Sequence, residues 1–367
     1  MSNFPLSYRL SWLPRLLRPS LGGDRQGFAP PAGAWLEAPA ERSVRLAFVG
    51  DISAVANRVT PVVHPEIREL LASADLVVGN CESPVVERPR CGLGTRLGIR
   101  HAMSAPFLGE TLAAAGIDRE KLVLSVANNH ALDQGIEGFD ETLAALRQLG
   151  IRVIGLAGEP MAKIAVPTAL RQAPYRHAPT PLWGGGALTV GFSAFTRWRN
   201  AEASKFAGRV ATESDPTSWP RDGIPGCDLV CAVPHWDWEF RHFPRAETRA
   251  LARRLTDAGA GLIVGGHAHV VEPVERMGST LVAYGLGDFL GTAFSRQPWP
   301  GRIGFVLAVD VGLEGDTRGL IAGYRCHPFF RLGEGRRERL VPVGTLEGNL
   351  RSKVARRFGS VMGDAAG

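Results

Sequence analysis

Five apolar, strand-like runs in this chain each end in a tight polar cluster: Gly50-Asp51, Asn80-Cys81-Glu82-Ser83, Asn128-Asn129-His130, His235-Trp236 and His267-Ala268-His269. A strand closing on Asp, Glu, Asn or His ends a core badly, because each of those groups needs a partner once buried. Repeated five times, the arrangement projects oxygen and nitrogen donors from several strands toward one point. Carboxylate, amide oxygen and imidazole suit a hard-to-borderline divalent cation such as Mn, Fe, Zn, Mg or Ca. The chain is therefore expected to build its site around one or two such ions.

The sharpest cluster is His267-x-His269, which follows the apolar run Ala260-Gly-Leu-Ile-Val-Gly-Gly266. In an extended segment residues i and i+2 share a face, so both imidazoles are expected to reach one metal pair. Gly265 and Gly266 would permit close approach of the backbone. Taken singly, each remaining cluster has a plainer reading. Asn128 and Asn129 suit a left-handed turn, Asp133 suits an N-cap for a helix starting near Ile136, and His235, Asp51 and Glu82 suit structural roles. Their recurrence in one context is what points to a ligand set.

Residues 1–42 read as a poorly structured, Pro/Gly-rich lead with one amphipathic patch at Trp12 to Leu17. From Val44 strands (near 44–49, 75–79, 121–126, 151–155, 227–233 and 260–265) alternate with helices (near 65–73, 106–115, 136–149 and 244–258). After His269 the pattern turns to β, near 272–276, 280–284, 303–311 and 319–326. The stretch 160–225 reads as an insertion over the site and 333–367 as a basic C-terminal tail, leaving 43–332 as the folded domain. Two mixed sheets flanked by helices satisfy this order, giving an α/β fold with its ligands at strand carboxyl ends.

Composition agrees with a folded enzyme: 367 residues, 45% apolar, enough for one large core. The 42 basic and 36 acidic residues leave +6, much of it near the ends and without the aromatic interleaving of a nucleic-acid binder. No stretch approaches the ~18 apolar residues of a membrane helix, and Ser2–Arg15 lacks a signal peptide's apolar core. Five cysteines without framework spacing fit a reducing compartment. These features read as cytoplasmic; oligomeric state is not legible.

In combination, Phe48-Val-Gly-Asp51, Val78-Gly-Asn80-Cys-Glu82, Ala127-Asn-Asn-His-Ala-Leu-Asp-Gln-Gly135, Pro234-His-Trp236, Gly266-His-Ala-His-Val270 and Tyr284-Gly-Leu-Gly-Asp-Phe289 resemble the CapA family. This is the poly-γ-glutamate capsule protein family, a branch of the calcineurin-like metallophosphoesterase superfamily. The resemblance runs from about Val44 to Phe330 and implies a four-layer α/β/β/α sandwich. It implies that Asp51 and His269 hold a first metal, that Glu82 bridges, and that Asn129, His235 and His267 complete a second. His130 would be the acid/base residue, oriented by Asp133, with Asn80 behind the ligands. The sequence departs from the pattern at Ser53 (Asp-x-His becomes Asp51-Ile-Ser53), at Glu82 in place of aspartate, and at Cys81, Asp237 and Asp288.

Those departures favour chemistry on a peptide or polyglutamate chain over a standard two-metal phosphoesterase. The resemblance extends to a soluble branch, the lasso-peptide epimerases, which makes epimerisation of a peptide residue the specific expectation. Amide hydrolysis, capsule-polymer synthesis and phosphoester cleavage are the alternatives. Epimerisation needs acid/base groups on both faces of the α-carbon; His130 is one candidate, and Cys81, Asp237 or Asp288 the other. Asn80, Trp236 and Asp237 are the expected substrate contacts, and Trp183, Trp198, Trp219, Trp238 and Trp299 could line a pocket.

Overall fold

The computed structural model describes residues 2–19, 40, 42–54, 59–90, 92–96, 99–159, 161–167, 187–213, 226–291, 297–334 and 337–363. In chain order the strands are β1 (Ser43–Ser53), β2 (Val62–Val63), β3 (Leu76–Cys81), β4 (Leu122–Ser125), β5 (Arg152–Ile154), β6 (Ala162–Val166), β7 (Leu188–Thr196), β8 (Leu229–His235), β9 (Leu262–Val264), β10 (Val274–Met277), β11 (Thr280–Ala283), β12 (Asp288–Gly291), β13 (Ile303–Gly312), β14 (Ile321–Glu334) and β15 (Arg337–Pro342). The α-helices are α1 (Leu6–Leu17), α2 (Pro65–Ala72), α3 (Leu93–Arg96), α4 (Ala105–Ala114), α5 (Gly135–Gln148), α6 (Ala203–Phe206), α7 (Ala246–Asp257) and α8 (Gly348–Met362).

The larger sheet runs β2-β15-β14-β13-β1-β3-β4-β5, with β12 also paired to β1; the smaller runs β10-β11-β9-β8-β7-β6. Both are mixed. The strands β1, β3, β4 and β5 are parallel, as are β7, β8, β9 and β11. Side-chain alternation assigns the layers. Leu229 and Cys231 of β8, with Leu262 and Val264 of β9, join Val44, Phe48, Val78 and Leu124 of the larger sheet in one apolar core. Ala232 and Ile263, on the opposite pleat, pack against Leu251, Ala252 and Leu255 of α7. Helices α2, α4, α5 and α8 bring Ile67, Leu108, Phe139 and Phe358 to the larger sheet. The result is the expected helix–sheet–sheet–helix sandwich.

Three domain expectations need correction. The described part of 160–225 is not an insertion: β7 is a nine-residue strand inside the smaller sheet, pairing with β8 on one side and β6 on the other. Neighbouring Pro, Gly and Trp obscured the run Leu188-Thr-Val-Gly-Phe-Ser-Ala-Phe195; Trp183 and Trp219 lie outside the described residues. Residues 333–367 are not merely a basic tail, since β15 extends the larger sheet and α8 packs Val354, Phe358, Val361 and Met362 into it. That i, i+4, i+7, i+8 spacing is one helix face, and the arginines occupy the other. The lead, expected to be poorly structured over 1–42, carries α1 across Leu6–Leu17. Among the described residues no helix is long and apolar enough to cross a membrane.

Candidate metal centre

Strand register brings the donors together. Asp51 lies opposite Asn80 of β3 and opposite Asp288 of β12, with irregular register around Asp51 on both flanks. Such irregularities re-aim a side chain at a strand end. Gly50 makes this approach possible, because a Cβ there would lie 1.7 Å from the Gly287 carbonyl oxygen. On the smaller sheet β8 ends at His235, which forms an isolated bridge to Gly266, so His267 follows immediately beside it. The centre thus sits where parallel strands of both sheets end.

The two histidines arrive by a different route from strand alternation. Residues 267–270 are not strand; His267 has φ 86° and His269 φ 53°. This left-handed backbone costs a non-glycine residue of order 1–3 kcal/mol and is concentrated at functional sites. It still leaves the two imidazoles 5.9 Å apart between ring centres.

Donor atoms fall into two groups that share His269. In the first, His269 Nδ1 lies 2.7 Å from Asp288 Oδ1 and 3.3 Å from Asp51 Oδ2. Asn80 donates to Asp51 Oδ1 at 2.7 Å, and the buried Arg331 guanidinium donates to Asp288 Oδ2 at 2.9 Å. Every acid here has a partner. Burial pushes Asp51 upward, but the hydrogen bond and charge of His269 outweigh it and hold its pKa below the usual value. Burial likewise opposes charge on His269, and Glu82 and Asp288 overcome it, raising its pKa well above the ordinary imidazole range.

The second group is Glu82, His267 and His269. Glu82 and His267 are fully buried, and neither carboxylate oxygen nor either ring nitrogen has a hydrogen-bond partner. The nearest opposite group to Glu82 Oε1 is His269 Nε2 at 3.5 Å, with His235 Nε2 at 3.8 Å. Burial, reinforced by Asp51, Asp288 and Glu239 against the opposing His269, raises the Glu82 pKa well above the carboxylate range. Burial first, then His235 and His269, depress His267 well below its ordinary value. His235 is lowered to about 3 by burial and donates Nε2–H to Asn129 Oδ1 at 2.9 Å.

A buried carboxylate with no donor costs several kcal/mol. An uncharged buried imidazole with two unused nitrogens adds to that cost. A divalent cation removes both costs at once, so the residues fit a metal: Glu82, His267 and His269 as one donor set, Asp51, His269 and Asp288 as the other. Each triad keeps its ligand atoms within 4.8 Å of one another.

Beside the donors stands a proton-transfer pair. His130 Nδ1 is 2.6 Å from Asp133 Oδ2; a carboxylate only accepts, so Nδ1 carries the proton and Nε2 is left to exchange one. His101 stacks on His130 at 3.7 Å between ring centres and 4° between planes, while its backbone N–H donates to the same Asp133 oxygen. An open groove of about 820 Å³ reaches this pair, lined by Arg90, Arg100, Lys205, Asn200 and Asp133.

With that geometry in hand, the chain can be set against known proteins. Residues 45–175 and 220–293 match the family described as Bacterial capsule synthesis protein PGA_cap. The chain belongs to this family. It is 27% identical over 259 residues to the PGA biosynthesis protein CapA of Bacillus subtilis (strain 168), covering 66% of this chain and 62% of that one. It is 27% identical over 269 residues to the capsule biosynthesis protein CapA of Bacillus anthracis, covering 67% and 59%. The chain thus spans about three-fifths of the length of these relatives. A 5'-nucleotidase from Candida albicans SC5314 overlaps 82% of this chain and 52% of its own at 13% identity, with TM-score 0.39.

Ser53 belongs to neither donor group; Asp288 is the third donor beside Asp51 and His269. Asp288, one of three candidates for the second acid/base group, is bonded to His269 and Arg331. Cys81 points into the apolar core, as the strand pleat dictates for the neighbour of Asn80, and burial pushes its thiol up to about 12. Trp236 is wholly buried against Tyr284, its indole N–H donating to the Tyr284 carbonyl. Gly265 leaves room for that ring, since a Cβ there would lie 2.1 Å from the indole nitrogen. Asp237 is buried under Arg245, accepting from its Nε and its backbone N–H, both at 2.8 Å. Neither Trp236 nor Asp237 presents a surface to substrate. Asn80 is spent on Asp51 and Asn128. Arg331, His101 and Asn200 went unnoticed; only Arg331 left a trace, as a charge within the apolar run Phe329-Phe-Arg-Leu332.

Proposed function

We propose that this protein is a metal-dependent enzyme that cleaves or transfers at amide carbonyls of a peptide or polyglutamate chain. The observation that carries the reading is the buried Glu82 carboxylate and His267 imidazole, neither of which has a hydrogen bond, beside the His130–Asp133 pair. Imidazole with carboxylate and no thiolate favours Mn, Fe or Zn over Mg or Ca. A divalent cation, when bound, supplies Lewis-acid polarisation of a carbonyl oxygen.

The chain's own residues supply the rest. Asp133 holds His130 in the Nδ1–H tautomer, so Nε2 takes a proton from the attacking water or amine and, as imidazolium, passes it to the leaving amine, a role worth about 10²–10⁴ in rate. His101 fixes the plane of the ring. Arg90, Arg100 and Lys205 offer contacts to a chain bearing carboxylates, although Asp133, Glu137 and Glu202 share the lining and Arg90 pairs with Glu137 at 3.6 Å; a peptide substrate is in keeping with relatives named for PGA biosynthesis and for a "polyglutamine synthesis accessory protein". Epimerisation needs a second proton-transfer group, and Cys81, Asp237 and Asp288 are each committed elsewhere. Acyl chemistry with one acid/base pair is therefore the better reading.

The test is mass spectrometry of α- and γ-linked glutamate oligomers, and of longer peptides, after incubation with Mn-loaded protein in H₂¹⁸O and, separately, D₂O. Cleavage or transfer, with ¹⁸O entering each hydrolysed carboxyl, supports the proposal. Deuterium gained at an α-carbon in uncut chains would overturn it in favour of epimerisation. Turnover of a phosphoester alone would return the protein to phosphoesterase chemistry.

A further inference from the structure

One face of α1 is buried over the centre. Tyr8 packs edge-on to Trp238 at 5.6 Å between ring centres, Trp12 donates its indole N–H to Glu239, and Arg15 Nε donates to the Glu239 carbonyl at 2.8 Å. Just before the helix, Asn3 is clamped to Arg197 and Arg199 by its side chain and backbone. Phe4 stacks on Trp198 at 5.0 Å and lies 5.9 Å from the His267 ring.

The opposite face is apolar and open. Leu6, Leu10, Leu13 and Leu17 are between 56% and 72% exposed. At 3.6 residues per turn they fall within a stripe about 60° wide. They are four of the nine large apolar side chains exposed among the described residues, and the other five are scattered singly or in a pair. Arg9 and Arg18 flank the stripe, both exposed, and no acidic residue occurs between Ser2 and Gly23. A leucine face edged only by arginines is the pattern of a helix lying in a lipid interface. The same stripe on a second copy would set arginine against arginine with no acid to offset them, whereas an anionic bilayer surface complements both.

We propose that the exposed face of α1 docks the protein on an anionic lipid surface. The leucines enter the acyl boundary, Arg9 and Arg18 meet the headgroups, and the buried face stays on the loop that carries Trp238 and Glu239. This holds whatever reaction the centre performs.

The experiment is co-sedimentation of the full-length protein with phosphatidylglycerol vesicles and with phosphatidylcholine vesicles, at low and high salt. The expected result is pelleting with phosphatidylglycerol, weakened by salt and by the uncharged lipid. Leu10→Ser/Leu13→Ser should lower partitioning at least about tenfold, with melting temperature and metal content unchanged because both side chains are exposed. No pelleting with phosphatidylglycerol, or pelleting that the double variant leaves intact, would overturn the proposal. So would light scattering that shows a dimer abolished by the double variant without any vesicle binding, since the stripe would then belong to a second copy.

Discussion

The two donor groups of the centre are built from the same residue types, yet their environments differ. Around Asp51 and Asp288, Asn80 and Arg331 satisfy each carboxylate, and the group is complete as folded. Around Glu82 and His267 no hydrogen bond reaches the buried atoms, and the nearest opposite groups stand off at 3.5 Å (His269) and 3.9 Å (Glu239). The first arrangement is scaffold and ligand together; the second makes physical sense only with a cation. What this teaches is that charge compensation, more than residue identity, separates a group the fold holds by itself from one it holds for a partner.

The contrast can be broken in order of expected effect. His130→Gln leaves both groups intact, so it should lower turnover by about 10²–10⁴ with metal content unchanged; loss of metal alongside activity would count against a separate proton-transfer role. Asp288→Ala takes a carboxylate from both buried His269 and buried Arg331, which keeps Glu338, and should cost about 3–5 kcal/mol in chemical denaturation of the metal-free protein. Glu82→Leu should do the opposite to the same protein, leaving stability unchanged or raising it by about 1–4 kcal/mol, because a buried carboxylate without a hydrogen bond is replaced by a packed apolar group. It should also remove the ion held by Glu82, His267 and His269. Equal destabilisation by Glu82→Leu and Asp288→Ala would erase the distinction.

A smaller effect sharpens it through pH. His235 at about 3 and His242 at about 4, both lowered chiefly by burial, bind protons less readily folded than unfolded. Their contribution is therefore complete above the unfolded value near 6.5 and lost as pH falls toward 4 and 3. Glu82 is raised, so in the metal-free protein its burial favours folding only at low pH, and it costs stability as pH climbs past the unfolded value near 4.3. Melting temperature of the metal-free protein should thus fall on both sides of an optimum. A bound cation should flatten the alkaline limb; an alkaline limb indifferent to metal would mean Glu82 is not a ligand.

Much of this was legible beforehand. Each strand-end cluster marked a real strand, because an apolar run closing on Asp, Asn or His is a local pattern. The left-handed turns at His267 and His269 were not legible, since a Gly-Gly-His-Ala-His string reads equally as extended. The place of Asp288 among the donors was not legible, because its partners, His269 and Arg331, are 19 and 43 residues away and meet it only through the β1–β12 and β14 pairings. Strand β7 was missed because its flanks, rich in Pro, Gly and Trp, dominated the composition around it. The C-terminal helix α8 hid behind its arginines, although its four apolar positions carried the right spacing.

The most direct check is an anomalous difference map from a crystal of the Mn-loaded protein. A peak bounded by Glu82, His267 and His269 is the predicted result, whether or not a second peak appears beside Asp51 and Asp288. Density only at Asp51 and Asp288, with Glu82 and His267 bare, would contradict the claim that the half of the centre without hydrogen bonds exists to hold a cation.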